Sequence, residues 1–227
     1  MSYQFDFSFL GERWPAFAEG AWLTIQITLV AIVLGFALGT ACALTRVYAH
    51  PLVRRLVGGY VEVIRNTPLL VQIFIVYFGI ASLGFKLSAD VSALIALVVN
   101  LGAYTTEIMR AGIESIPKTQ VEAADCLGLS RLQVIANIVL LPAIERVYPA
   151  LTSQFVLMML ASSITSQISV EELTAIANVV QSETYRSFEV YVVVALVYLA
   201  LSLIFRVGFW AVGTVLFFRR RRLGAAL

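Results

Sequence analysis

Asn100, Tyr104 and Glu107 stand at i, i+4 and i+7 of one apolar stretch, which places them on a single face of a helix. In the apolar stretch before it, Arg65 and Gln72 are seven positions apart and share a face as well. Amide, phenol, carboxylate and guanidinium groups so placed can hydrogen-bond a small zwitterion, or they can pair with one another. Inside a membrane an unpaired ionisable group is costly, so such residues face other helices or an aqueous path. Gln72, Asn100 and Tyr104 are therefore candidates to line a polar path, and equally candidates to tie helices together. Arg65 and Glu107 can form an ion pair, as a gate or as a structural clamp, and the structural pair is favoured. Ser162, Ser163, Thr165 and Gln167 are further polar positions, better suited to helix–helix contacts.

Other chemistries lack their residues. There is no Gly-x-x-x-x-Gly-Lys-[Ser/Thr] phosphate loop, so ATP hydrolysis by this chain alone is not expected. Neither His-Glu-x-x-His nor Gly-x-Ser-x-Gly occurs, and the one histidine, His50, precedes Pro51 in what reads as a solvated turn. No base is spaced to activate a serine, so an intramembrane enzyme is disfavoured and no catalytic residue is assigned. Cys42 and Cys126 have neither metal-ligand spacing nor a disulfide framework. A metal site and a resident cofactor are not expected.

The elements that must position these residues follow from composition. The chain is 60% hydrophobic and 13% charged, against about a quarter charged in soluble domains, and only lipid can solvate that excess. A crossing helix needs about 20 mostly apolar residues. Five stretches qualify: about Trp22 to Leu44, Tyr60 to Leu83, Val91 to Ile113, Tyr148 to Ile168, and Phe188 to Phe218. The last is longer than one crossing, and Arg206 interrupts it; the crossing is expected to end near Arg206, with a tilted or in-plane continuation. Gly35, Gly39 and Ala43 line one face of the first stretch and predict a close packing seam. Residues 1–20 lack a basic start, so no cleavable signal is expected, and their aromatic rings suit an outer interfacial segment.

Charge sets the orientation. Arg46, Arg54 and Arg55 lie between the first two stretches, Lys118, Arg131 and Arg146 between the third and fourth, and Arg219 to Arg222 in the tail (residues 219–227). The other side is dominated by acids, including Asp90, Glu171, Glu172, Glu183 and Glu189. The positive-inside rule puts the basic side in the cytoplasm, so the N-terminus lies outside and the C-terminus inside. A net charge of +2 gives no reason to invoke nucleic acid.

The one long hydrophilic stretch, residues 114–146, carries Glu122-Ala123-Ala124, then Gly128, then Val139-Leu140-Leu141-Pro142. Pro117 and Pro142 bracket it, and short amphipathic helices broken near Gly128 are expected. This pattern resembles the Glu-Ala-Ala loop of ABC importer permeases, except that Pro142 comes one residue later than the family spacing. The segment from Ile64-Arg65-Asn66-Thr67-Pro68 to Gln72, and the segment from Ala103-Tyr104 to Ile113, resemble the polar amino-acid branch, which handles histidine, glutamate, glutamine, arginine and opines. Many members of that branch carry Lys-Asp where this chain has Leu160-Ala161.

The resemblance covers most of the chain. It implies an all-α type I importer permease with five transmembrane helices, forming a single domain (1–227) in a bacterial inner membrane. It implies separate ABC ATPase subunits that bind the ATP, a second permease subunit, a solute-binding protein and an amino-acid cargo. Family analogy favours a distinct second permease over an identical one. Glu122, Ala123, Ala124, Gly128 and Pro142 would then couple the ATPase to the helices.

Overall fold

The computed structural model describes residues 4–217, and every regular element among them is helical. The helices are α1 (Phe9–Tyr48), α2 (Pro51–Arg65), α3 (Leu69–Ser82), α4 (Ala89–Glu114), α5 (Lys118–Cys126), α6 (Arg131–Ile168), α7 (Leu173–Thr184) and α8 (Ser187–Leu216). Four of them, α1, α4, α6 and α8, are long and apolar enough to cross a membrane, and the broken pair α2 and α3 counts as a fifth candidate only if the two form one span. Large apolar side chains stay exposed along the long helices, among them Leu29, Val33, Leu199, Leu203 and Trp210. The compositional excess therefore lies on surfaces that lipid or a partner would cover.

The chain folds into two compact units. One holds the chain up to Ile32 with Pro68–Leu97 and Val156–Arg206; the other holds Val33–Thr67, Val98–Phe155 and the chain from Val207. The first is centred on Phe17, Ile73, Leu97, Met159 and Leu173, and the second on Val61, Leu101, Met109, Val139 and Leu151, all essentially without exposure.

Several boundaries differ from those expected. The opening segment does not stand apart as an interfacial piece, because α1 starts at Phe9 and runs unbroken for 40 residues. The second crossing is not one helix over Tyr60–Leu83. Pro68 cannot continue α2 and drives the residue before it out of the helical region, so α2 ends at Arg65 and Asn66 caps it, its backbone N–H donating to the Glu62 carbonyl. The fourth helix starts well before Tyr148, at Arg131, so Pro142 lies inside it and closes no loop. A π-helical stretch, Val134–Leu140, precedes that proline, and the Leu141 N–H reaches back five residues to the Ala136 carbonyl. Such bulges absorb one extra residue in a helix, which matches the one-residue delay before Pro142. Arg206 does not interrupt α8, and its exposed side chain leaves the helix intact. The tail arginines, 219–222, lie outside the described residues.

The glycine seam is where the spacing predicted it. A methyl group added at Gly35 would sit 3.0 Å from Leu101, and one at Gly39 would sit 2.5 Å from Thr105 and 2.8 Å from the Gly102 carbonyl. Ala43, one turn on, has no exposure. α1 and α4 therefore meet nearly backbone to backbone in the second unit.

Candidate functional site

The polar face of α4 is assembled in the second unit. Glu107 sits on the half-buried flank of the helix and takes both the Nε and the Nη2 of Arg110, at 3.2 and 2.7 Å. Arg110 continues the chain of charge to Glu114 at 2.7 Å. The other Glu107 oxygen lies 3.5 Å from Arg46 of α1 without forming a hydrogen bond. The expected pair of Arg65 with Glu107 is not formed. Arg65 instead lies over the ring of Tyr104, 5.4 Å from its centroid, where the negative face of the ring attracts a cation. Arg46 was the overlooked member, because α1 extends to Tyr48 and carries Arg46 on its last turn instead of leaving it in a loop.

Asn100 is buried in the same unit, and Tyr60 anchors α2 beside it in sequence order on α4, its hydroxyl donating to the Val99 carbonyl at 2.7 Å. Gln72 is buried too, on α3 in the first unit. The hydroxyls of Ser162, Ser163 and Thr165 do not reach across to other helices. Each donates to the carbonyl three residues back, along the 3₁₀ stretch Ser162–Ile168 that ends α6.

The Glu-Ala-Ala segment forms a compact helix–turn–helix in the second unit. α5 ends in a Schellman motif: the Leu129 N–H donates to the Ala124 carbonyl and the Gly128 N–H to that of Asp125. This closure needs a left-handed residue, and Gly128 has φ +73°. Ser130 then starts α6 with a capping box to Gln133. Ala124 is buried, whereas Glu122, Ala123, Leu127 and Leu132 face outward, both leucines 81% exposed. Arg146 of α6 donates to the backbone and the hydroxyl of Ser115, which ties the return helix to the end of α4. The result is a capped, exposed turn that carries two apolar side chains, with Glu122 exposed on α5 beside it. A cavity of about 410 Å³ lies behind it, lined by Tyr48, Ile113, Ile116, Val121 and Val139, with Glu114, Lys118 and Glu122 at its margin.

One buried cluster went unnoticed in the sequence, where Glu172 counted only as an exterior acid. In the first unit, Glu172 is the N-cap of α7 and has no exposure. Its carboxylate accepts the N–H groups of Thr174 and Ala175 at 2.9 and 3.0 Å, and the Tyr198 hydroxyl at 2.6 Å. Burial pushes the Glu172 carboxyl above its ordinary range, against the pull of those donors. An acid directly before the apolar run starting at Leu173 is a helix-start signal and was the available cue.

Residues 31–212 match the family of binding-protein-dependent transport system inner membrane components. The octopine transport system permease protein of Rhizobium radiobacter is 35% identical over 209 residues, covering 88% of this chain and 85% of the relative. The probable glutamine ABC transporter permease protein of Bacillus subtilis is 35% identical over 201 residues, covering 88% and 93%. Among solved structures, an amino acid ABC transporter with histidines aligns at a TM-score of 0.83 and 33% identity, over 93% of this chain and 99% of that one. An inward-facing methionine ABC transporter aligns at 0.72 with 18% identity, over 88% and 95%, and supports the fold alone. With apolar crossing helices, a capped hydrophilic turn and agreement along nearly the whole length, the chain belongs to the family of inner-membrane components of binding-protein-dependent transport systems.

Proposed function

We propose that this chain is the permease subunit of an ATP-driven importer of polar amino acids, and that the turn around Gly128 is the handle by which an ATPase subunit moves it. The observation that carries this reading is the pre-formed protrusion: Leu127 and Leu132 are displayed on a turn fixed by a Schellman closure and a capping box. Displaying two leucines to water is unfavourable unless a partner covers them. Glu122 beside them offers a charge to a basic group on that partner. The ATPase would bind and hydrolyse the ATP, and docking would favour one permease state over the other, which is what coupling requires.

A binding protein would deliver the cargo from outside, to a passage made with a second permease subunit, distinct by family analogy. The cargo class rests on the relatives, whose names refer to octopine and glutamine. Buried Gln72 and Asn100, with Tyr104, are the groups we assign to the path. The basic loops support a cytoplasmic protrusion and an N-terminus outside.

Uptake of labelled glutamine, arginine and glutamate into proteoliposomes holding the whole transporter tests the path. Gln72→Ala and Asn100→Ala should each lower uptake about tenfold, the effect of losing one hydrogen bond of ~1.4 kcal/mol, with subunit assembly unchanged. Uptake at the wild-type rate would reject the assignment.

A further inference from the structure

α2 has 15 residues and is strongly amphipathic. At 1.5 Å per residue it is about 22 Å long, short of the roughly 30 Å of hydrocarbon. With 3.6 residues per turn its side chains fall into three sectors. One sector is held by the protein: Val61 is 1% exposed, and neighbouring Tyr60 is fastened to Val99. A second is an outward apolar stripe, Leu52, Leu56 and Val63, each more than 60% exposed. The third is polar and exposed, with Arg54, Arg55 and Glu62.

Water is a poor neighbour for the second sector, and hydrocarbon a poor one for the third. A helix placed along the boundary between lipid and water satisfies both, with its third side on the protein. We propose that α2 lies in the membrane plane as a phospholipid-binding helix, with Leu52, Leu56 and Val63 among the acyl chains and Arg54 and Arg55 against the phosphates of anionic lipids.

Charge favours anionic headgroups. α2 carries Arg54, Arg55 and Arg65 against Glu62 alone, three positive and one negative, and Glu62 is engaged with Asn66 at 3.1 Å. Among the described residues no carboxylate reaches Arg54 or Arg55. The stripe also suits lipid better than protein. It is narrow, with Gly59 and Arg55 on one side and exposed Val53 on the other, whereas a stable protein contact needs about 800 Å² on each partner. The inference uses only the membrane setting of the family, so it stands or falls separately from cargo and coupling.

The test uses the assembled transporter in lipid nanodiscs, with Cys126→Ser as background for labelling. Spin labels at Leu56→Cys and Val63→Cys should be reached by oxygen and shielded from a water-soluble nickel reagent, and a label at Glu62→Cys should behave oppositely. Native mass spectrometry of the unlabelled complex should show phosphatidylglycerol retained over phosphatidylcholine. The Arg54→Gln/Arg55→Gln variant should lose retention by about fivefold per arginine, and the corresponding double lysine variant should keep it. Nickel access at positions 56 and 63, a cross-link from Leu56→Cys to the second permease, or equal retention of the two lipids by the wild type would overturn the proposal.

Discussion

Around Glu107, one carboxylate holds Arg110 directly and Arg46 at 3.5 Å, while Arg65 rests on the ring of Tyr104. Removing the acid leaves Arg46 without its counter-ion and Arg110 with Glu114 alone. Glu107→Gln should destabilise the purified transporter by about 1–3 kcal/mol, read as a lower melting temperature, and Arg65→Gln by less, about 0.5–1 kcal/mol for a cation over a ring. A larger loss for Arg65→Gln would mean that Arg65 is the main partner after all. The polar face of α4 was legible from the spacing of Asn100, Tyr104 and Glu107. Its partner was not, because the choice between Arg46 and Arg65 depended on where α1 ends. Glu172 makes a pH prediction. The folded chain holds that proton more tightly than the unfolded one, so above the ordinary glutamate value the unfolded chain binds fewer protons and stability falls as pH rises. Thermal melts across that interval should show a shallower slope for Glu172→Gln than for the wild type; equal slopes would contradict the burial argument.

Among the elements, glycines separate backbone demand from packing demand. Gly128 is left-handed with nothing within 4 Å of an added methyl, so Gly128→Ala carries only the conformational cost, about 1–2 kcal/mol. It should speed amide exchange over α5 while leaving α6 protected. Gly39→Ala meets Thr105 and a backbone carbonyl, and overpacking of this kind costs about 1–3 kcal/mol. Gly59→Ala, on an open face of α2, should instead stabilise by about 0.5–1 kcal/mol. Chemical denaturation of the three variants checks the order, and a destabilised Gly59→Ala would contradict the orientation of α2. The seam was legible because small residues four apart can only mean close approach or chance. The split of α2 from α3 was written in Asn66-Thr67-Pro68, but apolar content on both sides hid it. The π stretch was visible only as one surplus residue before Pro142, a count that specifies an insertion without saying how the helix absorbs it.

For the molecule as a whole, apolar surface and apolar crossing helices agree in describing a membrane-embedded subunit. The division into two units was not legible, because α1, α4, α6 and α8 each run through both and no linker composition marks a boundary. The central claim is that the turn at Gly128 is gripped by an ATP-driven subunit. Cys126 stands exposed on that turn, and a thiol-directed photo-cross-linker attached there reads its neighbour directly. In membranes containing the whole transporter, the account predicts a cross-link to the ATPase subunit whose yield changes when ATP is added, and loss of both the cross-link and ATP-driven uptake in Glu122→Lys. A cross-link to the external binding protein, or ATP-driven uptake undiminished in that variant, would contradict it.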